Sequence, residues 1–141
     1  MKNKGKILAI DFGKSKVGLA ISDEDRKFAF RRGIIKDFKS LERLFEQIKR
    51  LCESEKVNLV ILGLPLAING SSTIQSSRIR KIGESLSAFL DKVKVEFVDE
   101  SFSSHQANEL IKSMNGAVSQ DDDDFAAYII LGKYLSDKEA F

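Results

Sequence analysis

The stretch from Val57 to Leu62 constrains the fold more than any other part of this chain. A half-buried strand alternates apolar with polar residues, whereas an apolar run suits a strand covered on both faces. Lys6 to Asp11 reads as a second buried strand, broken by Gly13. Such strands demand helices on both sides of one sheet, and the chain supplies them. Leu41, Leu44, Phe45, Ile48, Leu51 and Cys52 fall at helical spacing before the apolar run. Ile79, Ile82, Leu86, Phe89 and Leu90 do so after it, behind Ser72-Thr73-Ile74-Gln75, which has the pattern of a capping box.

The remaining elements follow from turn chemistry. Val17 to Ser22 forms a strand after the basic turn Lys14-Ser15-Lys16, and Phe28 to Ile35 forms another after Asp23-Glu24-Asp25. These short spacings make the first three strands an antiparallel meander. Val93 to Val98 is a fifth strand. A helix starts at Ser103, capped with Gln106, and ends at Asn115-Gly116, and a last helix runs from about Asp122 to Leu135. The order is βββαβαβαα, an α/β mixed five-stranded sheet with helices on both faces. Crossover helices imply parallel neighbours among strands three, four and five. At 141 residues we expect one domain spanning the whole chain, residues 1–141.

Composition excludes some classes. With 43% apolar and 31% charged residues the chain is an ordinary globular protein. No apolar stretch approaches the roughly 20 residues that span a bilayer, and the N-terminus lacks a signal-peptide core. No membrane partner is therefore expected. A lone cysteine, Cys52, allows no internal disulfide and suits a reducing compartment, so a cytoplasmic protein is expected. The net charge of +2 is unevenly spread: the first forty residues carry +6 and the rest −4. A basic half of this kind suits a phosphate backbone, although a solvated surface accounts for it equally.

Acidic residues stand where strands end or helices begin: Asp11, the pair Asp99-Glu100, and the run Asp121 to Asp124. Carboxylates gathered from distant parts of a chain suit Mg2+ or Mn2+, because hard cations take oxygen ligands. Phosphoryl-transfer chemistry follows most directly from such a site. Each has a plainer explanation too. Asp11 could cap the Gly13 turn, and the acidic run could complement a helix dipole. Asp99 and Glu100 are adjacent in a strand, so only one can share a face with Asp11.

Four pieces, in order, carry a resemblance: Asp11-Phe12-Gly13 with Gly18; Gly63-Leu64-Pro65-Leu66 with Asn69-Gly70; Asp99-Glu100-Ser101; and Asp123 leading into Ala126-Ala127-Tyr128-Ile129-Ile130-Leu131. Together they resemble the bacterial YqgF-type family of the ribonuclease H-like superfamily, described as pre-16S rRNA nucleases and Holliday junction resolvases. The resemblance covers nearly the whole chain. It implies a ribonuclease H-like fold and a metal-dependent nuclease with Asp11, Glu100 and Asp123 as the catalytic, metal-holding carboxylates. It also implies a role in the 5′ maturation of pre-16S rRNA during ribosome biogenesis. The chain departs from the family pattern in having Lys14 and Lys16 in the first turn, Ser101 after Asp-Glu, and aspartates where a basic loop often precedes the last helix.

Several residues suit nucleic-acid contact. Asn69 and Ser72 lie in a strand–loop–helix junction whose free N–H groups could hold a phosphate, although a tight turn with a capped helix needs no ligand. Lys14, Lys16 and Arg78 could neutralise phosphates or be plain surface charges. The expected partner is pre-rRNA, or branched DNA under a resolvase reading, with the protein a monomer or, for paired cuts, a homodimer. Two other classes compete. A non-catalytic nucleic-acid-binding or ribosome-associated module fits the missing basic loop. A phosphate-binding hairpin of actin-like ATPases resembles Asp11 to Gly18, but those folds need a second such domain.

Overall fold

The computed structural model describes residues 5–13, 15–65, 71–99 and 124–139. Its elements are β1 (Lys6–Phe12), β2 (Lys16–Ser22), β3 (Ala29–Lys36), α1 (Leu41–Glu55), β4 (Val57–Leu64), α2 (Ile74–Leu90), β5 (Lys94–Asp99) and α3 (Phe125–Glu139). The helix expected from Ser103 lies outside the described residues. The five strands form one sheet in the order β3-β2-β1-β4-β5. β1 pairs antiparallel with β2 and parallel with β4; β2 with β3 is antiparallel, and β4 with β5 is parallel.

The meander forms because Asp23 closes its second turn. The Asp23 carboxylate accepts the backbone N–H groups of Lys27 and Phe28, both at 2.8 Å. Those donors, Phe28 first, hold its carboxyl below the usual carboxylate range. From β3 the chain crosses over two strands before β4 pairs. Strands three and four therefore run parallel without being neighbours, which corrects the sequence expectation. β4, apolar on both sides, takes the slot beside β1, where both of its faces are covered.

Alternation along the strands sorts the core into two layers. Leu8, Ile10, Val17, Leu19, Val60 and Leu62 pack against Leu44, Phe45 and Ile48 of α1 and Ile79, Ile82 and Leu86 of α2. Ile7, Ala9, Ala20, Leu59 and Ile61 pack against Ala127, Ile130, Leu131 and Leu135 of α3. α2 lies close to the sheet because Gly83 has no side chain: a Cβ there would stand 2.6 Å from the Phe97 ring and 2.7 Å from Leu62.

Two boundaries differ from those expected. The capping box of α2 belongs to Thr73, not Ser72: Thr73 Oγ1 accepts from the Ser76 N–H at 3.0 Å, and Ser76 Oγ accepts from the Thr73 N–H at 2.8 Å. Two adjacent hydroxyls can each begin such a box, and here the first helical residue is Ile74. The last helix begins at Phe125, after the acidic run rather than within it. Asp124 stands at the cap, its carbonyl accepting the Tyr128 N–H at 3.0 Å while its side chain contacts β3.

Candidate active site

Asp11 is the last-but-one residue of the central strand. Ile7 and Ala9 belong to the α3 layer and Leu8, Ile10 and Phe12 to the other, so alternation carries Asp11 onto the α3 face. Its ladder partner on β2 is Gly18. On β4, Ile10 pairs with Leu62, which brings Gly63 alongside Asp11, and Gly63 pairs in turn with Val98 of β5. Directly opposed residues normally place Cβ atoms about 5 Å apart, and here the residue on each neighbouring strand is a glycine, which brings no side chain of its own beside the carboxylate. A half-buried carboxylate at a sheet edge, flanked by two glycines, can face a ligand.

α3 crosses the same face of the sheet. One row of the sheet runs through all five strands as Arg31, Ala20, Ala9, Ile61 and Glu96. The two central alanines let α3 lie close across it. Polar contacts hold the helix at both outer strands. At β3, Asp124 Oδ1 accepts from Arg31 Nε at 3.0 Å and Nη2 at 2.7 Å, and Oδ2 accepts from the Gly33 N–H at 2.9 Å. The Arg31 guanidinium also lies 5.8 Å from the centre of the Phe125 ring. At β5, Tyr134 donates its hydroxyl to Glu96 at 3.0 Å. Burial, with the bond to Glu96, pushes the Tyr134 phenol up to about 12. The Asp11 row lies two residues further along the strands, roughly 7 Å from the row that α3 follows.

Asp124 is 8% exposed, and both of its oxygens are engaged. It clamps α3 to an edge strand, a role that reading the acidic run as a complement to a helix dipole did not give it. Arg31 was missed altogether. The available signal was an arginine pair inside an otherwise strand-like run, Phe30 to Ile35. Glu96 and Val98 face α3, whereas Val95 and Phe97 pack on the opposite layer and Asp99 follows them. Asp99 is thus turned away from the face of Asp11.

Of the other expected site residues, Lys16 is exposed at the start of β2, where its carbonyl accepts the Gly13 N–H at 2.8 Å. Ser72 and Arg78 are exposed at the start of α2. Arg80, by contrast, lies over the Phe97 ring at 5.6 Å. Glu100, Asp123, Lys14 and Asn69 lie outside the described residues. Among the described residues, no three His, Cys, Asp or Glu side chains gather closely enough to hold a metal ion. Asp11 is the one member of the expected triad that the described residues include. Its oxygen donor chemistry fits a hard cation.

A mixed sheet in this order, with an aspartate ending its central strand, defines the ribonuclease H-like class. The solved structure of T. thermophilus RuvC in complex with a Holliday junction substrate has this fold: it aligns over 95% of this chain and 96% of its own with a TM-score of 0.62, at 15% identity. Residues 5–137 match the family model described as RuvX, Holliday junction resolvase, and the chain belongs to that family. The family is one of nucleases, hydrolases of phosphodiester bonds. A protein of Maridesulfovibrio salexigens named "Putative pre-16S rRNA nuclease" is 38% identical over 112 residues, 76% of this chain and 78% of its own length. One of the same name from Dictyoglomus thermophilum is 32% identical over 136 residues, 92% of this chain and 94% of its own. No described helix is long and apolar enough to cross a membrane.

Proposed function

We propose that this chain is a divalent-metal-dependent nuclease that matures the 5′ end of pre-16S rRNA, with Asp11, Glu100 and Asp123 holding Mg2+ or Mn2+. The observation that carries the reading is Asp11 at the end of the central strand, with Gly18 and Gly63 beside it and α3 packed on the same face of the sheet. Glu96 and Val98 occupy Asp11's face while Asp99 is turned from it, and the family resemblance gives the role to Glu100. Asp124 is committed to Arg31 and Gly33, and within the same acidic run the family resemblance falls on Asp123. When bound, the ion would supply Lewis-acid activation of the attacking water and neutralise charge on the phosphate. Lys16 and Arg78, exposed at the same sheet edge, would hold flanking phosphates. The whole chain acts as one domain in the cytoplasm under this reading.

The description of the matched family favours a second substrate, the four-way DNA junction. Paired cuts would require two copies of the chain. Both readings are tested by incubating wild type and Asp11→Asn with an RNA spanning the pre-16S 5′ end and, in parallel, with a four-way junction, in manganese and in EDTA. Metal-dependent cutting that is lost in Asp11→Asn supports the nuclease, and the preferred substrate separates the two readings. Undiminished cutting by Asp11→Asn would sink both. RNA binding without any cutting would point to a binding module.

A further inference from the structure

An open cavity of about 930 Å3 lies between the β3–α1 turn and the start of α2. Its size is within the range of ligand pockets, about 300–1,000 Å3. Phe38, Leu41 and Ile74 give it an apolar wall, and Ser77, Arg78 and Lys81 a polar and cationic one. No carboxylate lines it among the described residues. Ile74 is 93% exposed, the largest value among the exposed large apolar side chains of the described residues, and Leu41 is 45% exposed. α2 packs into the core through Ile79, Ile82, Leu86 and Leu90, so burial in the fold does not account for Ile74. An apolar surface held in water beside two cations complements a ligand with a flat apolar body and an anionic tail.

The cavity's position narrows the ligand further. β3 and β4 both run parallel to β1, so the segments that leave them emerge at the edge where Asp11 ends β1. The cavity opens on the α1/α2 side of that edge, and Asp11 faces the α3 side. A strand crossing the edge could engage both. Single-stranded nucleic acid is held in this way, with phosphates tracked by cations and splayed bases stacked on aromatic side chains, a part that Phe38 can take here with Leu41 and Ile74 flanking it. We propose that this cavity binds one nucleotide of a single-stranded segment, its base against Ile74, Leu41 and Phe38 and its phosphate at Arg78 and Lys81. This rests on the nuclease reading and deepens it: the seated nucleotide would set where the cut falls.

The test measures binding in EDTA, where no metal-dependent cutting intervenes. Fluorescence anisotropy compares a labelled single-stranded RNA with an abasic oligomer of equal length, using wild type, Ile74→Ser and the double variant Arg78→Ala/Lys81→Ala. Ile74 buries little in the fold, so its replacement leaves folding intact. Wild type is expected to prefer the base-bearing strand by on the order of tenfold, and Ile74→Ser to lose most of that preference while holding the abasic oligomer unchanged. The double variant should weaken both and flatten the salt dependence by about 0.7 in log–log slope per lost cation. Equal affinity of wild type for the two oligomers, or an unchanged preference in Ile74→Ser, would overturn the proposal. Competition by adenosine monophosphate as strong as by the RNA would assign the cavity to a free nucleotide and overturn it too. Cleavage in manganese, run beside this, keeps the readings apart: cutting without base preference removes only the cavity proposal, and preference without cutting removes only the nuclease.

Discussion

The clamp between Asp124 and Arg31 should be a principal local support of α3, and a double-mutant cycle can measure it. One Asp124 oxygen takes two guanidinium N–H groups at 3.0 and 2.7 Å, and the other takes the Gly33 N–H at 2.9 Å. Exposed ion pairs contribute about 0–1 kcal/mol, while removing one partner of a buried pair costs about 3–5 kcal/mol. The Asp124 side chain is 12% exposed and that of Arg31 is 32%, which places the pair between these limits. The guanidinium can rehydrate when its partner is lost; the half-buried Gly33 N–H does so less fully. We therefore expect Asp124→Ala to cost about 3 kcal/mol and Arg31→Met about 2 kcal/mol, the latter including roughly 0.5 kcal/mol from the contact with Phe125. The double variant should fall short of the sum by about 1.5 kcal/mol, because each single change already breaks the same bonds. Urea denaturation of the four proteins gives the coupling directly. A coupling below about 0.5 kcal/mol, within ordinary additivity, would refute the clamp.

Other expectations can be checked with the same preparations. Gly83→Ala should lower stability by about 1–3 kcal/mol in denaturant melts despite alanine's better helix propensity, because its methyl would meet Phe97 and Leu62. Alkaline stability should fall for a defined reason. Burial pushes the Cys52 thiol from near 9 up to about 12, and Tyr134 rises from near 10 to about 12. Both groups favour the fold in their protonated forms, so that support is complete below pH 9 and is lost as pH rises toward 12. Tyr134→Phe should soften the decline above pH 10 while costing about 1 kcal/mol at neutral pH through the lost bond to Glu96, as read from melts across pH. Asp23 behaves in the opposite sense. Its carboxyl is held low by backbone donors, so its contribution is present above the ordinary carboxylate range and disappears on acidification; Asp23→Ala should blunt the acid dependence of unfolding.

Much of the architecture was legible in the chain itself. Hydrophobic period is a local property, and it marked the five strands, α1, α2 and the last helix to within a few residues. Asp11 stood out for a local reason too, as a carboxylate ending an apolar strand. What sequence could not order was who lies beside whom. β4 pairs with β1 rather than β3, and that long-range choice brings Gly63 next to Asp11 opposite Gly18. Asp124 looked like one more charge in a run of four, yet its partner is 93 residues away on an edge strand. Ser72 and Thr73 offered the same hydroxyl, and only the start of the helix at Ile74 shows that Thr73 is the one that caps α2. Ile74 has the composition of a core residue and stands in water. Period and turn chemistry depend on a few neighbouring residues and survive in any window of the chain. Pairing, the partners of charges and the exposure of a side chain depend on which distant segments pack together, and only the assembled sheet and its helices determine that.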